Sequence, residues 1–312
     1  MVTHYPLPVT TATTPPTGPR RRVRSWVWAV ASVLVAGVAF VFAVRTALGQ
    51  RIDQALFDTS RSVAPASEVP TILDYHVVSN PSLWIGAAAA VVVLSQIRWG
   101  PQRGRSTAGR AGVAAVLLLF PPVVALVARV LRDDVLVRPQ LHDWIPETIN
   151  SAPSGHAAAA TAFVVALILA TPTRVRPMVA LIAGSWLVVI EFGVIAAGWH
   201  RPSDVVISTI LVAGVGALLP DPHRGEVGTM PFTRVLTGVG IVIAGPVIVA
   251  MYYPELWPVT TTVGIATVAA VMLAVLLPGA GTQPVRVASE DLPDAMVLPG
   301  VGDHGMDRAS VS

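Results

Sequence analysis

Residues 153–219 read PSGHAAAATAFVVALILA (153–170), TPTRVRP (171–177), MVALIAGSWLVVIEFGVIAAGWHRPS (178–203) and DVVISTILVAGVGALL (204–219). Three apolar runs, His156–Ala170, Met178–Trp199 and Asp204–Leu219, follow one another with short polar breaks between them. Each run approaches the roughly 20 residues that a helix needs to cross a bilayer core. The breaks hold the residues able to do chemistry: Ser154 and His156 before the first run, His200, Arg201 and Asp204 between the second and third. This stretch predicts consecutive transmembrane helices with polar junctions.

Outward from it, the same search finds five more runs: Trp26–Val44, Leu83–Ile97, Ala111–Leu131, Val235–Tyr252 and Val259–Leu277. The expected fold is therefore all-α, a polytopic membrane helical bundle of about eight transmembrane helices. Over 312 residues, 53% hydrophobic content and 12% charge exclude a water-soluble surface, and the mean hydropathy is +0.66. The basic residues are 21 arginines and no lysine, against 18 carboxylates, for a net charge of +3. With the N-terminus inside, fourteen arginines fall on cytoplasmic segments, which predicts both termini in the cytoplasm of a multi-pass plasma-membrane protein. Residues 1–25 and 279–312 read as disordered tails, 26–220 as a six-helix core and 221–278 as two additional helices. The first run exceeds a signal-peptide core and reads as a retained anchor.

Without cysteine there is no thiolate chemistry, so catalysis must rest on His, Asp, Glu, Ser or Arg. A Ser-Gly pair before a helix offers a hydroxyl and free backbone N–H groups at the positive end of a dipole, a natural anion cradle with His156 at its mouth. Pro-Ser-Gly is equally a turn and helix cap. His200 and Asp204, four residues apart, can meet across a helical turn, where a carboxylate fixes the imidazole tautomer; the same pair also reads as an interfacial hydrogen bond. Under the predicted orientation Arg132, Arg138, Ser154, His156, His200, Arg201 and Asp204 share the outer face. Glu191, inside an apolar run, calls for a partner, either Arg129 or a neighbouring helix. Trp199 reads as part of an interfacial belt, His142 as a solvated loop residue, and His223 shows no partner pattern.

Arg138-Pro139, Pro153-Ser154-Gly155-His156 and His200-x-x-x-Asp204 together resemble the three-part signature of the type 2 phosphatidic acid phosphatase superfamily, membrane phosphatases related to vanadium haloperoxidases. The resemblance covers about residues 26–220 and implies a six-helix phosphatase-like core. It further implies in-line phosphoryl transfer to His200, with Asp204 orienting the imidazole and His156 protonating the leaving alkoxide. Arg138, Ser154 and Gly155 would hold phosphate oxygens. No metal and no cofactor are implied. The expected substrate is a lipid or isoprenoid phosphate or pyrophosphate in the bilayer, with no nucleic acid and no protein partner assigned.

The chain departs from that pattern twice. The family's Lys, seven residues before the Arg of Arg-Pro, is Leu131 here, with Arg132 one residue later as its expected substitute. The family's Ser-Arg before the nucleophilic histidine is Gly193-Val194, which leaves a phosphate-binding cation missing; Arg201 or Arg129 is the expected replacement. A catalytically weak or inactive lipid-phosphate or anion binder on the same fold is the alternative these departures leave open.

Overall fold

The computed structural model describes residues 19–63, 107–145, 150–223, 231–252, 254–256, and Val259, Gly264 and Thr267. Among the described residues there are seven α-helices and no strand: α1 (Pro19–Arg45), α2 (Ala47–Val63), α3 (Thr107–Val130), α4 (Gly155–Ala170), α5 (Arg176–Ala196), α6 (Pro202–Gly216) and α7 (Pro231–Tyr252). A π-helical turn, Leu131–Val135, extends α3, and a short 3-10 turn, Pro254–Leu256, follows α7.

Six of the expected runs coincide with α1, α3, α4, α5, α6 and α7. The run Leu83–Ile97 lies outside the described residues, as does Val259–Leu277 apart from Val259, Gly264 and Thr267. Among the described residues, three stretches are long and apolar enough to cross a membrane, Ser25–Arg45, Ala111–Val135 and Arg176–Ala196, which marks a membrane protein; α4 and α6 are shorter. Their outer faces carry exposed Val, Leu and Met residues such as Leu34, Val38, Leu126 and Met178, a surface suited to lipid rather than water. α1 begins at Pro19, inside the stretch expected to be a disordered tail; arginine is a good helix former, so Arg20, Arg21, Arg22 and Arg24 prolong the helix. The remaining departure is α2, a polar amphipathic helix that no apolar run announces.

α4 sits at the centre, packed against α3, α5 and α6, while α1 packs on α6 and α7 on α5. Its sequence is Ala-rich and apolar on every side, and residues such as Ala157, Ala162, Val164 and Ile168 are buried, as expected of a helix surrounded by others. α1 and α6 approach closely at Gly214, where an added Cβ would lie 2.5 Å from the Ser32 side chain. Small residues at such crossings let helices pack without a hydrophobic driving force from water.

The two ends of α4 are finished differently. At its N-terminus, Ser154 caps the helix by accepting the Ala157 N–H at 3.2 Å. At its C-terminus the last carbonyls are met by a cation: Arg176 donates to Leu169 O at 3.1 Å and Thr171 O at 2.8 Å. Arg176 is paired in turn with Asp221 at 2.6 Å. His223, to which the sequence assigned nothing, is buried with Nε2 3.0 Å from Ala170 O. Replacing Asp221 by Ala leaves a buried guanidinium uncompensated, and the expected loss is about 2–4 kcal/mol of stability, measured as a lowered midpoint of thermal unfolding in detergent. An unchanged midpoint would show that the pair contributes nothing to the fold.

Candidate active site

The candidate residues meet where α4 begins and α5 gives way to α6. α5 ends at Ala196, and Gly198 then takes φ +77, the left-handed conformation. Its N–H donates to Ile195 O at 2.9 Å and the next N–H, of Trp199, to Val194 O at 3.2 Å, so the chain reverses tightly. Glycine fits there because a side chain would be strained at that φ and would also press on Arg61 at 3.0 Å. The reversal delivers His200 to the N-terminus of α4.

There the His156 and His200 rings stand 5.9 Å apart at 61°, and the indole of Trp199 packs 5.3 Å from His156. His200 is buried, and its Nδ1 is 3.0 Å from the carbonyl oxygen of Ser151. A carbonyl can only accept, so Nδ1 carries the proton and Nε2 keeps a lone pair. Asp204 Oδ2 lies farther from Nδ1, at 3.7 Å, and accepts the backbone N–H of Arg201 at 2.8 Å. The carboxylate thus caps the first turn of α6 while facing the imidazole, and the direct tie on the ring is a backbone group that sequence could not reveal.

Ser151 is itself held. Asn150 Nδ2 donates to Ala152 O at 2.7 Å, Leu136 O at 3.1 Å and Arg132 O at 3.2 Å, binding this loop to the end of α3. Ser154 N reaches Asp204 O at 3.3 Å, joining the two junctions through their backbones. Gly155 carries no steric demand from α3: an added Cβ would meet only Ala125 O, at 3.7 Å.

Of the expected cations, Arg138 is buried and its charge acts on Asp53. Arg132 lies in the π turn and pairs with Asp133 at 2.7 Å. Arg201 is 3% exposed, so it is not a lipid-facing residue. Its Nε donates to Gln54 Oε1 at 3.1 Å, a terminal nitrogen reaches Ser151 Oγ at 3.4 Å, and its guanidinium lies 5.4 Å from the Phe57 ring centroid. Arg129 points outward with 73% of its side chain exposed and pairs with Asp133 at 3.5 Å. It therefore does not partner Glu191, whose carboxyl accepts hydroxyls from Thr209, from Thr161 at 3.5 Å and from Thr267 at 2.8 Å.

Sequence reading passed over α2. Asp53 accepts Ser203 N at 3.0 Å and Ser203 Oγ at 2.7 Å, and Gln50 donates to Pro139 O at 2.6 Å. His142, expected to be solvated, is bound at Nε2 to Ala47 O at 2.7 Å. Burial, then the neighbouring charge of Asp204, push the Asp53 carboxyl up to about 6, against the opposing pull of the Ser203 hydrogen bonds and Arg138.

Two histidine rings thus converge on a serine-capped helix start within a helical bundle. Residues 134–221 match the family model of the PAP2 superfamily, and the match assigns this stretch of the chain to the type 2 phosphatidic acid phosphatase superfamily. No curated protein and no solved structure matches the chain. The superfamily's members are phosphatases acting on phosphate esters, which implies phosphatase-type activity here. The matched stretch contains Arg138, Ser154, Gly155, His156, His200, Arg201 and Asp204; Arg132 and α2 lie outside it.

Two measurements test this geometry. Asn150→Ala removes the amide that serves three partly buried carbonyls, and a loss of about 1–3 kcal/mol is expected in chemical unfolding. For Asp53, a carboxyl raised from 3.8 to about 6 binds its proton more tightly folded than unfolded. Its contribution to stability is complete below pH 3.8 and disappears as pH rises through 6. Melting temperatures between pH 4.5 and 7.5 should therefore fall more steeply with rising pH in the parent than in Asp53→Asn.

Proposed function

We propose that this protein is a membrane phosphatase that hydrolyses a lipid phosphate or pyrophosphate at the outer face of the plasma membrane through a phosphohistidine at His200. The observation that carries this reading is the pairing of His156 and His200 at 5.9 Å, with His200 Nδ1 committed to Ser151 O. That commitment leaves Nε2 to attack phosphorus in line. As the new P–N bond forms, the ester P–O bond breaks, and His156 gives its proton to the departing alkoxide. Water then attacks the phosphohistidine, His156 takes a proton from that water, and inorganic phosphate leaves with His200 restored. His156 Nδ1 is buried with no hydrogen-bond partner among the described residues, which suits a ring that exchanges a proton with a bound group.

Phosphoryl transfer is mostly a matter of positioning and charge. The N–H groups at the start of α4, around Ser154 and Gly155, together with Arg138, form the oxyanion side of the site. Arg132 joins them in this reading, supported by the π turn: such a turn holds one residue more than an α turn and so shifts the register by one. Arg201, buried beside His200, is the cation that stands in for the one absent at Val194. Asp204 supports the positive charge that builds on His200 during attack. A site at helix ends admits a headgroup while its hydrocarbon chain stays in lipid, hence an amphiphilic substrate.

The test is phosphate release from phosphatidic acid and from an isoprenoid pyrophosphate by purified protein. His200→Ala should lower kcat by at least about 10³-fold and His156→Ala by about 10²–10⁴-fold, and an acid-labile phosphoenzyme should form in the parent only. Activity retained in His200→Ala would rule out the covalent route.

A further inference from the structure

α2 lies outside the stretch matched to the superfamily, and its buried face is unusual in being polar. Gln50, Asp53, Gln54, Phe57 and Ser60 are buried at i, i+3, i+4, i+7 and i+10, whereas Leu48 and Ile52 are exposed. An amphipathic helix docked by hydrophobic burial turns its apolar stripe inward. Here the inward stripe carries, beside Phe57 and Ser60, two amides and a carboxylate, groups that are costly to bury unless something satisfies them. What satisfies them shows what the face is for.

Gln50 holds the carbonyl of Pro139, the residue after Arg138. Asp53 holds both the N–H and the hydroxyl of Ser203, the residue before Asp204. Gln54 accepts from Arg201, the residue after His200, and Phe57 lies against the same guanidinium. All three grips fall next to a candidate site residue, and they come from both sides of the site: one from the Arg138 loop and two from the α5–α6 junction. Among the described residues, the distant groups that Gln50, Asp53 and Gln54 hold are thus all at or beside candidate site residues.

We propose that α2 is a positioning element of the phosphate site, with Gln54 and Asp53 as its working residues. Gln54 fixes the rotamer of the Arg201 guanidinium, a side chain with many alternatives once its Nε–H is released. Asp53 fixes the first turn of α6 and, through Ser203, the direction of Asp204. Neither residue contacts the histidine rings, so both act through the residues they hold. The proposal rests on the phosphatase reading above.

A double-mutant cycle tests it. Gln54→Leu keeps the side chain's shape and removes the acceptor; Gln54→Glu keeps an acceptor; Arg201→Leu and the Gln54→Leu, Arg201→Leu double variant complete the set. Thr59→Ala, on the exposed face of α2, is the control. Turnover of phosphatidic acid in mixed micelles and affinity for inorganic phosphate are measured on each full-length variant, with thermal melts alongside. Gln54→Leu should lose about tenfold in kcat/KM and a similar factor in phosphate affinity. Gln54→Glu should recover most of that loss, Thr59→Ala should match the parent, and the double variant should equal Arg201→Leu alone. Parent-like turnover in Gln54→Leu, losses that multiply in the double variant, or a Gln54→Glu as impaired as Gln54→Leu would each overturn the proposal. If Gln54→Leu does not fold, Ser203→Ala removes the hydroxyl held by Asp53 without altering α2; it should lower kcat/KM about fivefold, and parent-like turnover there overturns the role of Asp53. A parent protein that neither hydrolyses phosphate esters nor binds phosphate removes the phosphatase reading and this proposal with it. A parent that turns over normally beside an unaffected Gln54→Leu removes the positioning role alone.

Discussion

The hydrogen bond from His200 Nδ1 to the carbonyl oxygen of Ser151 is the contact on which the rest of the site depends. It settles which nitrogen of the ring is available, and it does so with a backbone atom, whose placement is only as good as the loop that carries it. That loop is held at Asn150 by three carbonyls and at Ser151 Oγ by Arg201. One residue beyond the following Pro153, it becomes the cap of α4, so the residue orienting His200 and the residue starting the anion cradle belong to a single short connection. Misplacing one misplaces the other. Asp204 adds charge and a cap to this arrangement from the opposite side.

Most of the bundle was legible because long apolar runs can satisfy their backbone in lipid only as helices, and six such runs became α1 and α3 to α7. The residues that meet at the junctions were legible too, because His, Ser and Asp stand out against Ala and Val. What escaped detection was of two kinds. Backbone acceptors such as Ser151 O have no side-chain signature. α2 carries the wrong pattern for a hydropathy search: Gln50, Asp53 and Gln54 read as surface residues until their partners, far along the chain, are known. Glu191 was half legible: of the two partners expected, Arg129 or a neighbouring helix, the second holds, through threonine hydroxyls that look bland within an apolar run.

The arginine-only composition also has a reading in the structure. Arg176 serves the end of a helix, Arg201 is clasped by an amide, a hydroxyl and an aromatic ring, and Arg138 is buried near the Asp53 carboxyl. These uses exploit a planar, multi-pronged donor that keeps its charge when buried, a task for which an ammonium group is poorly shaped.

The contacts of α2 also impose an order in time. Its partners lie 89, 147 and 150 residues downstream, at Pro139, Arg201 and Ser203. At ordinary rates of synthesis, about 150 residues take roughly 10–30 s to make. For that interval the polar stripe of α2 has no partner to answer it, and the helix cannot dock natively before the α5–α6 junction has emerged. Seating of α2 is therefore a late step in the birth of the molecule, one that gathers the Arg138 loop and the α5–α6 junction onto the same helix.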